Sequence, residues 1–201
     1  FRGAAMPTSA GGRPLDLPED ADVWAVLEEL GLLVFMHSTT GATRDVLADY
    51  TLNTVVGWPT ETTICVSRLI FSGVLERHPQ LALVLSHGGG TLPYLRGRLN
   101  LAYNAPHYEA NPACRAHITK PPGDYFRQLY FDTVVASADS LRFLIELVGA
   151  DRVMFGSDFP FEIGDAEGAF SLPVINALAA GERDRILGGN AAAVLEARKA
   201  R

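Results

Sequence analysis

The sequence predicts an α/β fold of the (β/α)8 TIM-barrel type, present as an incomplete barrel, and three observations carry that expectation. Short apolar runs alternate with stretches of helical period. Each run delivers a polar residue at its C-terminal end, namely His37, His87, Asp132 or Asp158. No glycine-rich phosphate loop follows the first run, as a doubly wound sheet would require. A barrel gathers all its strand ends on one catalytic rim, and a whole one takes about 250 residues. The 201 residues here supply four clear strands and a fifth candidate at Phe1–Met6, the later half of a barrel and a little more.

Taken in order, Phe1–Met6 reads as a strand and Pro7–Pro14 as a Gly/Ser/Pro loop. Asp16 is placed to cap a helix with Pro18 in its first turn, an apolar face of Val23, Trp24, Val26, Leu27 and Leu30, and Gly31 as its stop. Leu32–Met36 is an unbroken apolar run ending in His37, the pattern of a strand buried on both faces. A long loop from Ser38 to Pro59 leads to a helix over Glu61–Arg77, with Ile64, Leu69, Ile70 and Val74 inward. Leu81–Ser86 is the next strand and ends in His87-Gly-Gly-Gly, glycines that leave room for substrate. A helix over Leu92–Tyr103 and a long loop to Gly123 precede the strand Leu129–Phe131, which ends in Asp132 and Thr133. Ala138–Val148 is helical, with Leu141, Leu144, Ile145 and Val148 inward. The strand Arg152–Ser157 delivers Asp158. Helices follow at 169–180, 182–187 and 191–198, the last capped by Asn190. Residues 1–201 are expected to form one domain.

Composition narrows the function. A net charge of −6, with no run of like charge, argues against a nucleic-acid partner. Cys65 and Cys114 form no C-x-x-C, so reduced thiols and a cytoplasmic location are expected. No apolar stretch reaches 18 residues, which argues against a membrane span. The first residue is Phe1 rather than Met, and a processed or truncated product is expected.

His37, His87 and Asp158 share one position in their units. Two imidazoles and a carboxylate on a rim suit a divalent ion such as zinc, or one histidine serves as general base. A lone strand-end histidine more often bonds a loop carbonyl, but three polar residues in register turn that balance. His78 and His117 read as surface residues, His107 as a surface residue whose loop could fold over the rim, and Cys65 as core. Asp132 is either a support beneath the site or a strand-end cap. His87-Gly-Gly-Gly also matches the oxyanion loop of serine hydrolases. That fold needs a G-x-S-x-G elbow, and Phe155-Gly-Ser-Asp-Phe lacks the spacing.

Gly57-Trp-Pro-Thr-Glu-Thr-Thr63, His87-Gly-Gly-Gly-x-x-Pro93 with Gly97-Arg98, Phe155-Gly-Ser-Asp-Phe-Pro-Phe161 and Gly189-Asn-Ala191 together define a resemblance. From about Val23 to Leu195 the chain resembles the aminocarboxymuconate-semialdehyde decarboxylase family of the amidohydrolase superfamily, metal-dependent TIM barrels. The resemblance implies that Phe1–Met6 is the fourth barrel strand and that strands 4 to 8 are present. It implies His37 and Asp158 as metal ligands and His87 as acid/base on metal-bound water. Arg98 would grip the substrate carboxylate across a homodimer interface, and Trp58 would border the substrate pocket. The family's first strand carries a His-x-His pair of further ligands, and no His-x-His occurs in this sequence. Relatives also usually have proline where Ser38 follows His37.

The resemblance thus implies a metal-dependent decarboxylase of a small unsaturated or aromatic carboxylic acid, with zinc or, second, manganese. Arginine suits position 98 because its guanidinium binds a carboxylate bidentately. The alternatives are an amidohydrolase or lactonase on the same site, and an inactive barrel fragment serving as a binding or assembly module. With two of four ligand positions absent, weak metal binding is expected.

Overall fold

The structure is a computed structural model that describes residues 1–38, 45–104 and 112–197. Five strands form one parallel sheet in sequential order: β1 (Gly3–Pro7), β2 (Leu33–His37), β3 (Ala82–Leu85), β4 (Leu129–Asp132) and β5 (Val153–Met154). Parallel neighbours joined by helical crossovers in strict sequence order are an arc of a (β/α) barrel. The crossovers are α1 (Ala21–Glu29), α2 (Trp58–Phe71) with α3 (Val74–Arg77), α4 (Leu92–Asn104) and α5 (Ala138–Val148). Beyond β5 come α6 (Ser171–Asn176), α7 (Ala180–Asp184) and α8 (Asn190–Ala197).

The core lies between the sheet and its helices. Val34, Met36, Leu83, Leu85, Leu129, Phe131 and Val153 point that way and are essentially fully buried, against Leu69, Ile70 and Leu75 of the second crossover and Leu141 and Leu144 of α5. The opposite face carries Leu33, Ala82, Val84, Tyr130 and Met154, closed in part by Val194 and Ala191 of α8. Phe35, on that face of β2, is 38% exposed. Thus β2 alternates rather than being buried on both faces, because the described residues cover only one of its sides.

Several expected boundaries move, each for a local reason. α1 ends in a Schellman motif, Leu32 N–H to Leu27 O and Gly31 N–H to Glu28 O, with Gly31 at φ +60° as its sequence position suggested. Asp16 does not cap it; both its carboxylate oxygens accept from Arg68 on α2. Val23 and Val26 of α1 and Leu30 just beyond it stay exposed, and Trp24 and Leu27 carry the packing. The helix expected at 61–77 begins earlier, at Trp58, and breaks at Gly73, whose φ is +77°. A Cβ on Gly73 would lie 2.4 Å from the His117 carbonyl oxygen. Ile64 is exposed, while Leu69, Ile70 and Val74 are inward as expected.

The last strand is two residues long rather than six. Beyond Met154 the Phe155 N–H donates to Ile186 O and the chain leaves the ladder. Asn190 is no cap either: its amide donates to Ala150 O and Val153 O, both at 2.7 Å, and fastens the start of α8 beneath β5. The helix expected at 169–180 is confined to α6. Residue 198, at the end of the last expected helix, lies outside the described residues.

Candidate metal centre

Three of the expected residues meet at the C-terminal ends of the strands. His37 ends β2, His87 follows β3 after Ser86, and Asp158 follows β5. His37 Nε2 lies 3.9 Å from Asp158 Oδ1, and His87 Nε2 lies 3.8 Å from Asp158 Oδ2. One ligating atom from each residue falls within 4.8 Å of the others. The Asp158 and His87 side chains are each about 10% exposed and that of His37 29%.

The two imidazoles are held differently. His37 Nδ1 donates to its neighbour's carbonyl, Ser38 O, at 2.9 Å. A carbonyl can only accept, so the proton sits on Nδ1 and the Nε2 lone pair faces the carboxylate. His87 has no hydrogen-bond partner on either nitrogen, and Asp158 Oδ2 has none either. Buried polar atoms without partners are costly, so these atoms are built to meet something of opposite character. Nitrogen and oxygen donors converging at these separations fit a divalent cation, whose bonds to such ligands run about 2.0–2.2 Å. Burial first, and then His37 beside it, pulls the His87 pKa below the ordinary imidazole value, with Asp158 opposing.

Trp58 roofs the pair. Its ring stacks on His87 at 6.0 Å and 21° and meets His37 edge-on at 5.7 Å. Ser38 Oγ donates to Trp58 O at 2.6 Å and contacts Thr62 Oγ1, which seats the start of α2 against the end of β2. Beside the site a cavity of about 340 Å³ is lined by His87 and Asp158 together with Val55, Val134, Val135 and Ile163.

Of the three glycines after His87, Gly90 lines the cavity as expected, and all three are also pressed against protein neighbours. A Cβ on Gly88 would sit 2.3 Å from Val135 Cγ1, on Gly89 2.8 Å from the Phe131 ring, and on Gly90 2.0 Å from Pro59 O. They let the backbone curl left-handedly against neighbouring protein. Arg98 stands apart from the centre, exposed on α4. Asp132 is buried beneath the turn at His87. Cys65 is core, its thiol pushed up to about 12 by burial. His117 is exposed as expected, but His78 is half-buried and bonds Glu28 at 2.9 Å. His107 lies outside the described residues. Thr133, Ser38 and the valine wall escaped the sequence reading; only Thr133 had a signal, its place at a strand end.

The amidohydrolase family model matches residues 1–197. The chain is 30% identical over 189 residues to a 2-amino-3-carboxymuconate-6-semialdehyde decarboxylase of Dictyostelium discoideum, covering 94% of this chain and 52% of that protein. It is 33% identical over 145 residues to a 6-methylsalicylic acid decarboxylase of Penicillium expansum, 72% of this chain and 43% of that one. Among solved structures, IDCase of Metarhizium anisopliae superposes with a TM-score of 0.83 at 31% identity, over 97% of this chain and 56% of that chain. The chain spans about half the length of the curated relatives it matches.

Proposed function

The chain belongs to the amidohydrolase family, and on that premise we propose that it acts as a metal-dependent decarboxylase of a small unsaturated or aromatic carboxylic acid. The observation that supports this reading is the convergence of His37, His87 and Asp158, where both His87 nitrogens and Asp158 Oδ2 are buried with no protein partner. Relatives named for decarboxylating a muconate semialdehyde and a salicylic acid support the substrate class. We take residues 1–201 as one domain.

His37 Nε2 and the Asp158 carboxylate would hold a divalent ion, zinc or manganese. Such an ion supplies Lewis acidity toward substrate oxygens. His87, whose tautomer no hydrogen bond fixes, is free to take up and hand on a proton, and it is the acid/base. It takes up the proton of the substrate's carboxyl group and delivers it to the carbon that loses that carboxylate, so a C–C bond breaks, a C–H bond forms, CO2 leaves and His87 returns to its starting state. The valine wall would flank an unsaturated ring, and Trp58, stacked on His87, would border the substrate pocket. Arg98, exposed on α4 together with Tyr94 and Leu101, would serve a second copy's substrate in a homodimer. A cytoplasmic location fits the free cysteines.

The test is CO2 release from a panel of small aromatic and unsaturated acids by chain dialysed against zinc or manganese. We expect turnover that His87→Asn reduces by about 10²-fold or more. Hydrolysis of amides or lactones without CO2 release would replace this reading with the hydrolase alternative, and inertness toward both would mark a binding module.

A further inference from the structure

We propose that the dipeptide Asp132–Thr133 at the end of β4 is the positioning element of the site, Asp132 setting His87 and Thr133 setting Asp158. The proposal rests on the reading of His87 and Asp158 given above. β4 lies between β3 and β5, so its end has the His87 turn on one side and the approach to Asp158 on the other.

On the first side the β3–β4 ladder ends at the Leu85–Phe131 pair. The Asp132 side chain then takes over from the backbone. Its Oδ2 accepts from His87 N–H at 3.0 Å, and its Oδ1 accepts from Gly88 N–H at 2.7 Å and from Val134 N–H at 3.0 Å. His87 has φ +55°, a left-handed conformation that a residue with a side chain rarely adopts, and Gly88 follows at +60°. Two consecutive N–H groups aim at one carboxylate because of that curl, and charge-assisted bonds hold it. The curl turns the imidazole over the strand end toward Asp158.

On the second side the β4–β5 ladder ends at the Asp132–Met154 pair. Thr133 Oγ1 donates to Gly156 O at 2.9 Å and accepts from Gly156 N–H at 3.1 Å, replacing the missing rung. Gly156 packs so close that a Cβ would lie 3.3 Å from Asp132 Cβ. Two residues on, Asp158 takes its own left-handed turn at φ +57°. Asp132 and Thr133 are 6% and 2% exposed, and neither lines the cavity, so both act through the residues they hold.

The test uses the 15N-labelled chain without metal, with Asp132→Asn, Thr133→Val and Thr133→Ser. In Asp132→Asn the His87 and Gly88 amide resonances should move upfield, and their hydrogen exchange should speed up roughly tenfold or more. Thr133→Val should do the same to Gly156 and spare His87, and Thr133→Ser should restore the Gly156 signal. In turnover, Asp132→Asn should lower kcat about 10²-fold with KM nearly unchanged. Unmoved His87 and Gly88 amides in a folded Asp132→Asn chain overturn the proposal. So does a Thr133→Val chain that matches Thr133→Ser, which decides the matter where Asp132→Asn does not fold. Absence of CO2 release from the unmodified chain, with the amides responding as described, overturns the decarboxylase reading and leaves the positioning role standing.

Discussion

At the scale of single residues, the site depends on backbone conformations that most side chains resist. His87 and three following glycines all have positive φ, and the glycines are pressed against Val135, Phe131 and Pro59. Gly90 is the most constrained, because the Cβ of an alanine would meet a backbone oxygen, which cannot swing aside as a side-chain tip can. Gly90→Ala should therefore destabilise the chain by about 2–4 kcal/mol in urea unfolding, strain and left-handed φ acting together. Gly97, with open space about its Cα, should accept alanine in the same assay with a change within about 0.5 kcal/mol or a small gain. For the metal, His37→Ala and Asp158→Ala should each weaken zinc binding in calorimetric titration more than His87→Ala does. An equal loss from all three would make His87 a ligand.

At the scale of elements, the crossovers are fastened to the sheet by single polar side chains as well as by packing. Glu76 on α3 accepts from Thr119 Oγ1 at 2.6 Å and from the Tyr125 hydroxyl, tying α3 to the segment that leads into β4. The Thr119 bond first, and then that of Tyr125, holds the Glu76 carboxyl below its ordinary 4.5. The latch is thus fully present above about pH 4.5 and is lost as pH falls through the lowered value. Glu76→Gln should reduce stability at pH 7, and its unfolding midpoint should converge on that of the unmodified chain as pH is lowered toward 3. On α5, Leu144 is 2% exposed in the main core, and Leu144→Ala should cost about 2–5 kcal/mol by thermal or urea unfolding.

At the scale of the molecule, stability and chemistry occupy different layers. The helix-facing side of the sheet is apolar and buried, whereas the site sits on the strand ends and draws on loops. Metal should therefore matter little for folding. With two protein ligands in hand and a weak dissociation constant, zinc at tenfold excess over Kd should stabilise by only about 1.4 kcal/mol. Chelation should leave circular dichroism unchanged and lower Tm by a few degrees. Among the described residues no helix is long and apolar enough to cross a membrane.

The sequence by itself determined the repeating βα order, the inward face of α5 with Leu69 and Ile70 of α2, and the three residues that share the strand-end position. Those features are local: hydrophobic period names an element, and its end names the residue delivered there. It could not show the 3.8 Å approach of His87 to Asp158, because that distance depends on sheet register and on two left-handed turns. It also misassigned Asp16 and Asn190 as caps, and Gly88 and Gly89 as room for substrate. A polar residue beside a helix can cap it or reach a distant chain, and a glycine can clear space or permit close packing. Only the tertiary structure chose between them, since it alone places Arg68, Val153 and Val135 within reach.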